Sequence, residues 1–161
     1  MTISCLEWFG GLYLDSSVDR KVEIEKGIPF LEGGRVVVNS ECIFSLFYEG
    51  GKKRRKGPKF KAGVFCEEDP FLDFPDRNLS IQQLWETGRY LDVRPVKVNK
   101  KVSIMRSRPI FPDWKLNFSL TYDTSIISKE DIYDSLEIAS KELGFLDYRP
   151  RFGRFTITQF E

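Results

Sequence analysis

Between Trp114 and Tyr122 the residues alternate without a break: Trp114, Leu116, Phe118, Leu120 and Tyr122 are apolar, and Lys115, Asn117, Ser119 and Thr121 are polar. A period of two over this length predicts a β-strand with one buried face. Ser128-Lys-Glu-Asp131 follows. There a hydroxyl can accept an orphan backbone N–H, and acids fill a first turn that the helix dipole favours. Ile132, Leu136, Ala139 and Leu143 then recur at helical spacing, one apolar stripe that Gly144 stops. After a turn over residues 147–153, Phe155 and Ile157 alternate with Thr156 and Thr158 as a final strand.

Upstream, residues 93–108 also read as strand, with Asn99-Lys100-Lys101 as a turn or bulge. Pro109 and Pro112 mark strand ends, because proline cannot donate to a ladder, and an antiparallel pair is expected around residues 106–114. Residues 3–14 read as a strand broken at Gly10-Gly11. Gly33-Gly34 precedes a short strand, Val36-Val37-Val38. Asn39 or Ser40 caps a helix carrying Ile43, Phe44 and Phe47, which ends at Gly50-Gly51. Residues 60–66 read as another strand, and Ser80-Ile-Gln-Gln83 as a capping box opening a helix with Leu84 and Trp85. The order predicts one α+β domain over residues 1–161. Its expected architecture is ferredoxin-like: a split β-α-β antiparallel sheet with two main helices on one face and the other face open.

Charge is informative through its placement. The 25 Lys and Arg nearly cancel the 24 Asp and Glu. Yet Lys52, Lys53, Arg54, Arg55, Lys56, Lys59 and Lys61 form a run without an acid between Gly51 and Val64. Bracketed by Gly50-Gly51 and Gly57-Pro58, the run predicts a mobile inserted loop at about residues 50–62 able to neutralise phosphates. A second basic set is Arg89, Arg94, Lys97, Lys100, Lys101, Arg106 and Arg108. A third, Arg149, Arg151 and Arg154, is interleaved with Tyr148, Phe152 and Phe155. Rings on which bases stack, beside guanidinium groups that hold phosphates, suit single-stranded nucleic acid.

The chain has no histidine, which excludes imidazole bases, nucleophiles and ligands. Glu67, Glu68, Asp69, Asp73 and Asp76 would suit magnesium, but nothing supplies a general base, and Pro70 and Pro75 mark the stretch as a solvated loop. No catalytic, metal or cofactor site is expected. Cys5, Cys42 and Cys66 are odd in number and widely spaced, so they are expected to be small buried side chains in a reducing compartment. No basic segment opens the chain and no apolar run approaches the roughly 20 residues of a membrane span. A cytoplasmic, non-membrane protein is expected.

The segment Glu142-Leu-Gly-Phe-Leu-Asp-Tyr-Arg-Pro-Arg-Phe-Gly-Arg-Phe155 resembles the glycine- and arginine-rich loop of the repeat-associated (RAMP) RNA-binding superfamily. These are the ferredoxin-like proteins that build CRISPR effector complexes. Gly34-Arg-Val-Val-Val-Asn-Ser-Glu-Cys-Ile-Phe-Ser-Leu-Phe47 is similar to that superfamily's strand-to-helix entry. Arg108-Pro109-Ile-Phe-Pro-Asp-Trp114 together with residues 147–154 resembles small solitary relatives in phage and prokaryotic genomes. The resemblance implies a helix near a guide backbone, followed by a mobile nucleic-acid-contacting insertion where residues 52–61 lie. The chain has fewer glycines than such loops and lacks the histidine of the processing nucleases. The function expected is therefore non-catalytic binding of RNA or single-stranded DNA. Lys52, Lys53, Arg54, Arg55, Lys56, Lys59, Lys61, Arg106, Arg108, Arg149, Arg151 and Arg154 would hold the backbone, and Tyr148 or Phe152 would stack on bases. The alternative is a viral interaction module that mimics or blocks a CRISPR effector subunit in the host cytoplasm.

Overall fold

The computed structural model describes residues 3–15, 34–99 and 102–161. Lys100, Lys101 and Gly33 lie outside the described residues. The class is α+β, with small antiparallel sheets. The chain forms two compact units: Met1–Val38 with Pro70–Asn117, and Asn39–Asp69 with Phe118–Glu161.

The first unit opens with α1, Ile3–Gly10, where residues 3–14 were expected to be a strand. Cys5, Trp8, Phe9 and Leu12 are all buried, and their spacing of three, one and three is the face of a helix. The Trp8 indole N–H donates to the Tyr90 carbonyl at 2.8 Å and its ring tilts against Trp85 at 5.5 Å. Short antiparallel contacts link Leu14 to Val36 and Val37 to Phe71, and β2 (Leu72–Asp73) pairs with β5 (Lys115–Leu116). Helix α4, Ile81–Thr87, starts from the expected capping box: Ser80 Oγ accepts from Gln83 N while the Gln83 side chain accepts from Ser80 N. Strands β3 (Leu91–Asn99) and β4 (Val102–Pro109) form a hairpin with Leu91 opposite Pro109. The partner of β4 is thus β3, and not a strand beyond Pro109. Pro112 and Asp113 turn the chain before β5, so residues 106–109 pair with β3 and not with the segment that follows them.

In the second unit, α2 (Ser40–Lys53) starts at Asn39, whose side chain accepts from Glu41 N at 2.8 Å. The helix was expected to end at Gly50-Gly51, but it runs through both. A Cβ on Gly50 would stand 2.5 Å from Ser135 Oγ and nearer still to the Ser135 carbonyl oxygen, and one on Gly51 would overlap the Phe60 ring. The glycines are there for close packing, not for a turn. Helix α3, Gly57–Gly63, takes Pro58 in its first turn, where a missing N–H is harmless. The run read as an inserted loop is therefore helical on both sides of Arg54–Lys56. The strand expected at 60–66 reduces to β1, Val64–Phe65, which pairs with β6, Thr121–Tyr122.

Helix α5, Lys129–Ile138, begins where expected: Ser128 Oγ accepts from Asp131 N at 3.2 Å. Ile132, Leu136 and Ala139 are buried. A π turn, Ala139–Leu143, closes it, and Gly144 stops it at φ 77°. Residues 155–158, expected as a final strand, join no ladder, although burial still alternates between Phe155 and Ile157 on one side and Thr156 and Thr158 on the other.

Candidate nucleic-acid interface

Seven cations crowd the end of α2 and the start of α3, and helix geometry sorts them. Lys52 pairs with Glu49 one turn back at 3.1 Å. Lys53 lies 3.7 Å from Glu142 of the π turn. Lys56 bonds Asp131 of α5. Arg55 sits at φ 59°, a left-handed conformation that turns the chain between the two helices. Arg54, Arg55, Lys59 and Lys61 are exposed and have no acidic partner among the described residues.

Gly51, Arg54, Lys56, Phe60, Asp131, Asp134 and Ser135 line a cleft of about 240 Å³. Ser135 donates to the Phe47 carbonyl at 2.6 Å, and both are buried. Asp131 is a third-position acid of α5 held by Ser128 and Lys56. Sequence reasoning did not pick out Asp131, Asp134 or Glu142 as neighbours of the basic run. Their spacing shows only that they share the polar side of a helix, and the meeting with α2 and α3 is tertiary.

The turn after the π helix is closed by its two glycines. Phe145 N donates to Gly153 O at 2.8 Å. A Cβ on Gly144 would lie 2.5 Å from the Phe152 carbonyl, and one on Gly153 would stand 2.6 Å from Phe145 N. At φ of 77° and 72° only glycine fits both constraints without strain. Leu146 and Tyr148 also have positive φ, at 61° and 59°, conformations held by this closed loop. Arg154 is a strut: its Nε donates to Pro150 O at 3.1 Å and its NH1 to Lys141 O at 2.9 Å. Arg149 and Arg151 are exposed with no acidic partner among the described residues. Tyr148 and Phe152, both half-buried, meet edge-on with centroids 6.3 Å apart. The basic run and the arginine turn thus belong to one compact unit. Lys53 and Arg154 reach consecutive residues of the π turn, Glu142 and Lys141.

Arg106 and Arg108 belong to the first unit. Arg106 pairs with Glu7 of α1 at 2.5 Å, and the Ser107 N–H donates to the other Glu7 oxygen at 3.0 Å. The Ser107 N–H does most to hold the Glu7 carboxyl below its usual range; burial opposes it, and the Arg106 hydrogen bond and the Arg106 and Arg108 charges lower it further. These arginines anchor α1 on β4.

The acidic stretch is distributed over local tasks. Asp69 accepts from Ser40 N at 2.7 Å, Asp73 pairs with Arg77, and Asp76 binds Arg89 at 2.5 Å and the Tyr90 hydroxyl at 2.7 Å. Burial and Asp76 raise the Tyr90 pKa. Among the described residues no three His, Cys, Asp or Glu side chains are grouped as a metal ion needs, and no helix is long and apolar enough to cross a membrane. Cys5 is buried, and Cys42 and Cys66 are half-buried thiols. Comparison with protein-family models, curated proteins and solved structures finds no match.

Proposed function

We propose that the chain is a non-catalytic binder of RNA or single-stranded DNA. One observation carries the reading: six exposed cations of one compact unit, Arg54, Arg55, Lys59, Lys61, Arg149 and Arg151, lack acidic partners among the described residues. Lys52, Lys53 and Lys56 already face Glu49, Glu142 and Asp131, so these six are the charges of the run and the turn that stay available to a polyanion. Tyr148 and Phe152 flank Arg149 and Arg151 in the turn, where an extruded base could stack. What supports the RAMP-like reading is the antiparallel pair of β1 and β6, with α2 and α5 packed on each other through Gly50 and Ser135; α3 lies between α2 and β1, and residues 70–117 lie between the two strands.

The test is fluorescence anisotropy of a labelled single strand across a salt series. Six phosphate contacts give a slope of log K against log salt of about −4, at about −0.7 per contact on single strands. A flat response overturns the reading. Capture of a protein partner that survives nuclease digestion would favour the interaction-module alternative instead.

A further inference from the structure

A phosphate track needs cations only, yet the cleft between α2, α3 and α5 also holds carboxylates. Lys56 and Asp131 close on each other, and the Ser135 hydroxyl is engaged by Phe47. Arg54 and Asp134 remain. Both are exposed, both line the cleft, and neither has an ion-pair partner among the described residues. Two opposite charges on one cleft that do not pair suit a ligand with an anionic end and a donor-rich end.

We propose that Asp134 selects guanine in a single strand whose phosphate is held by Arg54, an inference that rests on the nucleic-acid-binding reading above. A carboxylate offers two acceptor oxygens and no donor. Guanine presents N1–H and the N2 amino group side by side on its Watson–Crick edge, so both oxygens are met at once. Adenine and cytosine place one amino group beside a ring nitrogen whose lone pair repels the carboxylate. Uracil and thymine flank their one N–H with two carbonyls. Unpaired bases of a single strand expose this edge to side chains. The cleft, at about 240 Å³, is smaller than the roughly 300–1,000 Å³ of pockets for drug-sized ligands.

Anisotropy at fixed salt tests the assignment on uracil-rich strands of about ten nucleotides, each with guanine, inosine, adenine, cytosine or uracil at the centre. The guanine strand binds about tenfold tighter than the all-uracil strand, and inosine, which lacks the N2 amine, falls between them. In Asp134→Asn the guanine strand comes to within about twofold of the others, while the all-uracil affinity holds or rises because an anion has left the track. Arg54→Gln weakens every strand alike and keeps the order. Binding without a guanine preference, or a preference undiminished in Asp134→Asn, overturns the assignment and leaves the broader reading standing. No binding to any strand overturns both.

Discussion

Replacing Gly50 by alanine separates two accounts of the double glycine. If Gly50 were an ordinary open position within the helix, alanine would stabilise the chain by up to about 1 kcal/mol through helix propensity. In the structure Gly50 lies within α2 and faces Ser135, where the new Cβ would stand 2.5 Å from Oγ. Ordinary van der Waals separation is about 3.5 Å, so α2 and α5 must part by about 1 Å. The nearest atoms include backbone, so a rotamer change cannot relieve the overlap. Overpacking of this kind costs about 1–3 kcal/mol, and stretching the buried Ser135–Phe47 bond adds about 1 kcal/mol. After the propensity gain of about 1 kcal/mol, the net loss is about 1–3 kcal/mol, or a fall in Tm of roughly 2–12 °C. Urea unfolding followed by circular dichroism measures it. Gly10→Ala is the control, since a Cβ there meets nothing within 4 Å; it should be neutral or stabilising by about 0.5 kcal/mol. A Gly50→Ala protein as stable as the parent would refute the close crossing of α2 and α5.

Arg154→Gln removes both carbonyl contacts and should lower stability by about 1 kcal/mol. Arg151→Gln should leave stability within about 0.5 kcal/mol while weakening oligonucleotide binding; equal unfolding curves for the two variants would deny Arg154 its role as a strut. Ser80→Ala breaks the capping box of α4 and should cost about 1 kcal/mol in chemical denaturation. Glu7 has a folded-state pKa below its unfolded value, so the stability it adds is present above about pH 4.3 and lost as pH falls through the folded value. Thermal unfolding of the parent and Glu7→Gln from pH 7 to pH 3 should diverge at the upper end and converge at the lower; parallel curves would sink the argument.

Periodicity was legible where one face of an element is buried throughout. Residues 114–122 alternate in burial at every position, as their sequence alternates. What no period can show is the partner: Lys115–Leu116 pair within the first unit and Thr121–Tyr122 within the second. Caps were legible because their chemistry is local, as at Ser80, Ser128 and Gly144. Helix α1 was misread because Gly10-Gly11 drew attention from the spacing of Cys5, Trp8, Phe9 and Leu12. Gly50-Gly51 was misread for a related reason: glycine marks a turn and a close helix contact alike, and only the neighbour Ser135, far along the chain, tells them apart.

The candidate interface poses the same difficulty in electrostatic form, because a charge counted in sequence is not a charge available to a ligand. Twelve cations were assigned to backbone contacts. Of these, Lys52, Lys53, Lys56 and Arg106 carry acidic partners, Arg108 acts on Glu7, and Arg154 holds two carbonyls. The salt slope distinguishes the two totals. At about −0.7 per contact, six cations give about −4 and twelve about −8. A slope near −4 means that the ion pairs of the free protein persist in the complex. A slope near −8 means that Glu49, Glu142, Asp131 and Glu7 release their partners to phosphate. Releasing Lys56 would free the Asp131 carboxylate, which lines the same cleft as Asp134. The slope and the base preference are therefore coupled: a steep slope should come with a changed base preference, and a slope near −4 with the preference that Asp134 alone sets.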